Sequence, residues 1–208
     1  MRGWLPSSRR SRVATVSAVV VGIAAGLFAT FATAHEPRDA DRGGLSAGVS
    51  ALDSLPAVAS LPADVAQWVE QSARDIGNDP VRAKARVRKL RSGLGARGSD
   101  FYAYREENGA ICIDLTSQAA SCPESADNGP PGIEWIAAGG WASVPRNVVG
   151  LVSDDVASVA LVASGLARPV PIVNNSIFAE LRSDEPAELQ LRFRDGSKRT
   201  FTIPGANG

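Results

Sequence analysis

Three hydrophobic textures follow one another along this chain. From Val13 to Ala34 the residues are uncharged and mostly Val, Ala, Gly, Ile, Leu and Phe. As a helix, about 22 residues cover roughly 33 Å, enough for a hydrocarbon core of about 30 Å. From Leu61 to Leu94 apolar residues recur at helical spacing. From Asp100 onward, short runs of β-branched and aromatic residues alternate with polar ones between Gly, Pro, Asn and Asp.

The helical stretch divides at Gly77-Asn78. Leu61, Val65, Trp68, Val69, Ser72 and Ile76 predict an amphipathic helix over 63–76, with Pro62 in its first turn. Asp79-Pro80 predicts a second helix, with Asp79 as N-cap and a stripe of Ala83, Val87, Leu90 and Leu94. Its other faces carry Arg82, Lys84, Arg86, Arg88, Lys89 and Arg91. A basic face of this kind is a candidate contact for anionic headgroups or envelope polymers, or simply a solvated helix surface.

Two hairpins stand out in the alternating region. Asn108-Gly109 predicts a two-residue loop pairing Tyr104 with Ile113 and Tyr102 with Leu115, with Cys112 on the opposite face beside Arg105. Leu189, Leu191, Phe193, Phe201 and Ile203 all lie at odd positions, so an Asp195-Gly196 loop of two residues would mismatch them. A three-residue loop, Arg194-Asp195-Gly196 with Gly196 left-handed, instead pairs Leu189 with Phe201. Ser117 to Gly132 reads as a surface loop, and strands are expected over 133–137, 147–152, 156–163, 170–173 and 176–181. About seven or eight strands with helices only at the start predict a mainly β fold, a small antiparallel sandwich or partly open barrel.

The organisation that follows is a basic tail over 1–12, a membrane segment over 13–34, a linker over 35–61, a helical segment over 62–95 and a β domain over 100–204. The linker is rich in Ala, Ser, Gly and Asp, with a weak helical signal from Ser46 to Leu55. Arg2, Arg9, Arg10 and Arg12 before the apolar run place the N-terminus inside and the β domain outside. The run is either a retained single-pass anchor or a signal peptide cleaved after Ala34, behind the small-x-small sequence Ala32-Thr33-Ala34. Gly22 and Gly26 form G-x-x-x-G within a stripe of small residues, a candidate surface for helix dimerisation and hence a homodimer.

Charge sharpens this picture. The 208 residues carry 22 Lys+Arg and 22 Asp+Glu. Without the four N-terminal arginines, 18 basic residues face 22 acidic ones, about −4, which argues against nucleic acid as a partner. Cys112 and Cys122 both fall in the exported part and predict one disulfide closing a small loop. The only histidine is His35, so histidine-based hydrolases and metal sites are not expected, and no cofactor motif is present. The adjacent carboxylates Glu106-Glu107 and Asp154-Asp155 read as turn residues. Tyr102, Tyr104, Trp135 and Trp141 are candidates for a ligand or partner surface, Trp141 most of all, the alternative being core packing.

Val149-Gly150-Leu151-Val152 with Asp154-Asp155-Val156 and Ser158-Val159, then Asn174-Asn175 with Ile177-Phe178 and Glu180-Leu181, then Phe193-Arg194-Asp195-Gly196-Ser197 form a recognisable set. With Tyr102-Ala103-Tyr104 and Gly109-x-Ile111-Cys112, the chain resembles uncharacterised exported or membrane-anchored β-domain proteins of high-GC Gram-positive bacteria. The resemblance covers roughly the last hundred residues. It implies an envelope location and a β fold, and it carries over no activity and no functional residues.

The sequence thus predicts a non-catalytic extracytoplasmic module that binds an envelope protein or polymer. The alternatives are an envelope enzyme using Ser-Lys or a carboxylate pair between helix and sheet, and an accessory membrane subunit acting through helix dimerisation.

Overall fold

The alternation after Asp100 becomes three antiparallel sheets in the computed structural model, which describes residues 45, 48–116, 118–124, 132–138, 146–181 and 186–205. All of these belong to the second of two units, Arg38–Gly208. The anchor segment with Gly22 and Gly26, and Trp141, lie outside the described residues. Among the described residues no helix is long and apolar enough to cross a membrane.

Among the described residues three helices come first: α1 (Ser50–Ser54), α2 (Ala63–Asp75) and α3 (Pro80–Ala85). Sheet A contains β1 (Arg88–Leu94), β2 (Ser99–Arg105), β3 (Ile111–Leu115) and β4 (Ala119–Ser121) in that order. Sheet B places β6 (Arg146–Val152) between β5 (Ile133–Ala138) and β9 (Ser176–Leu181). Sheet C runs β11 (Lys198–Ile203), β10 (Ala187–Phe193), β7 (Val156–Ala163), β8 (Leu166–Val170).

Side-chain alternation stacks these elements in layers. On sheet A, Phe101, Ala103, Ile113 and Leu115 face a core shared with Val149, Leu151 and Ile136 of sheet B. The opposite face of sheet B sends Ile133, Val148, Val152 and Ile177 into a second core with Leu161, Leu189, Leu191 and Ile203 of sheet C. Every residue of β6 is buried, as expected of a strand covered on both faces. Tyr102, Tyr104 and Cys112, on the other side of sheet A, meet Val65, Val69 and Ala73 of α2 and Ala83 of α3.

Four expectations are corrected. The second basic helix stops at Ala85, and Arg88 to Leu94 is strand β1. Register shifts between Lys89 and Arg91 and between Arg91 and Leu94 interrupt its alternation. Burial therefore falls on Val87, Leu90 and Leu94, the spacing of a helix stripe. The linker ends earlier than residue 61, since Leu45, Val49, Ala51 and Leu52 are buried in the core between sheets A and B.

The first hairpin has a three-residue loop. Glu106 N–H donates to Ala110 O at 2.8 Å and Gly109 N–H to Glu106 O at 3.1 Å, with Gly109 at φ 84°. Tyr104 therefore lies opposite Cys112 and Tyr102 opposite Asp114. Cys112 thus shares the tyrosine face, which the two-residue reading denied it. Finally, the 117–132 segment is not all loop, since β4 forms within it and pairs with β3.

The last hairpin agrees with its expected register. Leu189 pairs with Phe201, Phe193 N–H donates to Ser197 O at 2.9 Å, and Gly196 has φ 89°. Asp79 caps α3 as expected, its Oδ1 accepting from Val81 N–H at 2.8 Å.

Candidate functional site

The polar chemistry of the described residues concentrates in the seam between α2 and sheet A. Because strands alternate, residues 102, 104, 112 and 114 all point toward α2. The expected disulfide joins Cys112 to Cys122, with Cα atoms 4.2 Å apart. Beside it, Trp68 of α2 meets Tyr104 edge-on, with ring centroids 5.5 Å apart and planes at 77°. Burial pushes the Tyr104 phenol far up, and the neighbouring Glu106 carboxylate adds to the shift.

Two carboxylates here are buried. Glu106 is 3% exposed; its Oε2 accepts from Asn78 Nδ2 at 2.7 Å, and Oε1 has no hydrogen-bond partner among the described residues. Asp114 is 7% exposed and its Oδ2 is likewise unpartnered. Burial raises the Asp114 carboxyl, and Asp64 in the first turn of α2 raises it further, to about 7. A buried carboxyl whose proton affinity lies near neutral is an ingredient of acid–base chemistry.

A third group closes one end of the seam. Lys89 Nζ donates to Asp100 Oδ2 at 2.8 Å and lies 5.6 Å from the Tyr102 ring centroid; Tyr102 Oη donates to the same oxygen at 3.3 Å. Burial pushes Asp100 up, yet hydrogen bonding and charge from Lys89 win and hold it below the usual carboxylate range.

The three described candidate aromatics do not form one surface. Tyr102 and Tyr104 are 1% and 0% exposed under α2, and Trp135 of β5 packs against the core between sheets B and C. The six candidate cations are divided between α3, the following turn and β1, and four are paired with carboxylates. Lys84 Nζ is 2.7 Å from Glu70. Arg82 reaches Asp79 at 3.7 Å and Glu107 at 3.5 Å. Arg86 reaches Glu107 at 3.4 Å, and Lys89 holds Asp100. Arg88 donates to the carbonyls of Ala85 and Val87, whereas Arg91 has no carboxylate within 4.0 Å among the described residues. A face neutralised to this degree is not a strong anion surface.

Glu106, Cys112 and Cys122 bring three potential metal-ligand atoms within 4.8 Å of one another. The disulfide occupies both sulfurs, so no thiolate is available to a metal in this state. Glu106, expected as a turn residue of the pair Glu106-Glu107, is buried beside the disulfide; Asp114 carries no expectation from the sequence, although it interrupts the apolar run Ile111-Cys112-Ile113-Asp114-Leu115. An ionisable residue at a buried strand position was the available signal.

A separate polar node fastens α1. Asp154, between β6 and β7, accepts from Ser50 N–H at 3.1 Å, Ser50 Oγ at 2.8 Å and Asn175 Nδ2 at 2.7 Å. Asn175 Oδ1 accepts from Ala51 N–H at 3.0 Å. The turns after β6 and before β9 thus cap the free amides of a helix far away in sequence.

No family model, no curated protein and no solved structure matches the chain.

Proposed function

We propose that the chain is a non-catalytic module of the cell envelope, tethered through residues 13–34 or released by cleavage after Ala34, that binds an envelope protein through the outer face of sheet C. The supporting observation is that face's composition and register. Ser158, Arg192 and Lys198 form one row; Pro169, Ala160, Gln190 and Thr200 form the next; Ala167, Val162, Glu188 and Thr202 form the third. These side chains are exposed or half-exposed, and Leu166 at the edge is 76% exposed. Short apolar groups beside both signs of charge match a protein surface better than a sugar polymer, which favours aromatic platforms. Sheets B and C, with one shared core, support reading this part as a small sandwich.

Co-purification from detergent-solubilised envelope tests the proposal. A specific protein is expected to co-purify with the wild type and to be lost with Ala160→Arg/Gln190→Ala. Recovery of envelope polymer instead, or of the same protein by the variant, would reject this face as a protein site.

Asp64 and Asp114 support a second reading, an envelope enzyme with an acid–base pair between helix and sheet. Turnover in a hydrolase screen, abolished by Asp114→Asn, is the expected result; turnover unaffected by that change would exclude the pair.

A further inference from the structure

The outer strands of the three sheets are β1 and β4, β5 and β9, and β11 and β8. All but β11 are guarded. Strand β1 carries register shifts, and Asn174 Nδ2 donates to its Leu90 O at 3.2 Å. Strand β4 is three residues long and lies against β5, Ser121 Oγ donating to Glu134 at 2.7 Å. Pro169 interrupts β8, and the Arg168 guanidinium donates to Glu180 O of β9. These are usual ways of stopping a sheet edge from pairing with another chain. The register of β11 with β10 instead runs unbroken, the strand contains no proline, and among the described residues β10 is its only strand neighbour. Phe193 N–H donates to Ser197 O, so alternation turns the backbone groups of Arg199, Phe201 and Ile203 toward β10. Those of Lys198, Thr200 and Thr202 face the open side. Only charge marks this edge. Lys198 and Arg199 are exposed, and Arg192 is exposed directly across from Lys198. Like charges directly opposite destabilise a sheet, and none of the three has a carboxylate within 4.0 Å among the described residues.

We propose that β11 accepts an extended acidic segment of the partner protein as an added antiparallel strand, with acids at two consecutive positions opposite Arg199 and Lys198. Consecutive strand residues point to opposite faces, so one acid meets Lys198 on the outer face, with Arg192 beyond it, and the other meets Arg199 on the inner face. Backbone hydrogen bonds to Lys198, Thr200 and Thr202 hold the segment, and the two acids select it. Its remaining residues lie opposite Thr200, Phe201, Thr202 and Ile203, where β-branched side chains pair well. The proposal rests on the reading of sheet C as the protein-binding sheet, and it names the partner's chemistry and pose.

The probe is a blocked, labelled peptide, Val-Thr-Val-Thr-Glu-Asp, titrated to millimolar concentration into the full-length chain in detergent and followed by fluorescence anisotropy. Val-Thr-Val-Thr-Lys-Lys is the control. The acidic peptide is expected to bind about tenfold tighter or more, and Lys198→Glu/Arg199→Glu to reverse the preference. Thr200→Pro keeps all three cations and removes an N–H that β10 does not use, and is expected to abolish binding. In the wild type the acidic peptide is expected to slow amide exchange at Lys198, Thr200 and Thr202, a readout that needs no variant to fold. Equal affinity for the two peptides, wild-type affinity in Thr200→Pro, or unslowed exchange at those positions overturns the proposal. So does slowing of the same amides by raised protein concentration alone, which assigns the edge to a second copy. Ala160→Arg/Gln190→Ala is expected to keep peptide binding. An edge that fails while that variant still loses its co-purifying protein rejects this proposal and leaves the face reading intact.

Discussion

Asp114 shows how much one side chain can set. Its carboxyl, raised to about 7 by burial and then by Asp64, stays protonated in the folded chain at pH values where the unfolded chain has already ionised it. The folded state therefore binds the extra proton, and stability falls as pH rises between the unfolded value near 4 and about 7. The stabilisation is fully present below that window and lost above it, at most about 4 kcal/mol. Tyr102 across the strand, Asp64 above it and the Asp100–Lys89 pair beside Tyr102 are its ionisable surroundings. Asp114→Asn is expected to flatten the decline over this window in urea titrations at a series of pH values. A decline as steep as the wild type's would assign it to other groups. None of this was legible in the sequence, because the face Asp114 occupies depends on a one-residue choice of register. A two-residue loop at Asn108-Gly109 places the tyrosines opposite Ile113 and Leu115; the real loop puts Cys112 and Asp114 there.

Elements were legible wherever alternation ran unbroken. The 189–203 hairpin was readable to the residue, because five large apolar side chains of one parity leave one loop length that pairs them inward. Strand β1 was not, because its register shifts imitate a helix stripe. Helix α1 was weak for a different reason. Five residues cannot sustain a helix alone, and its first amides are satisfied by Asp154 and Asn175 from distant turns. Asp154→Ala is expected to lower stability by about 1–2 kcal/mol and to expose residues 48–56 to limited proteolysis. Unchanged cleavage there would show that Leu52 and its neighbours hold α1 without the cap.

At the scale of the molecule, sheet B is the layer on which both principal cores depend. Gly150 sits at its centre, where an added Cβ would meet Glu134 O at 3.0 Å and Trp135 Cβ at 3.1 Å. Gly150→Ala is expected to lower stability by about 1–3 kcal/mol, measured by thermal unfolding, because the nearest atom is backbone and cannot swing away. The core also reaches back beyond the expected domain start. The chain lacking residues 1–37 gives the reference unfolding midpoint of the β unit, and removal of 1–55 is expected to lower it. Removing 1–55 strips out Leu45, Val49 and Leu52, 5%, 0% and 6% exposed, each worth about 1.5–3 kcal/mol of burial. Equal midpoints for the two truncations would contradict that role. The node at Asp154 finally imposes an order of events on the nascent chain. Ser50 is 104 residues from Asp154 and 125 from Asn175, so α1 is synthesised long before its anchors exist. Until both turns emerge, Val49 and Leu52 have no sheet B to cover them, and closing so long a loop is slow. Helix α1 is thus synthesised early and docks late, and its bare apolar side is what a holdase chaperone would meet.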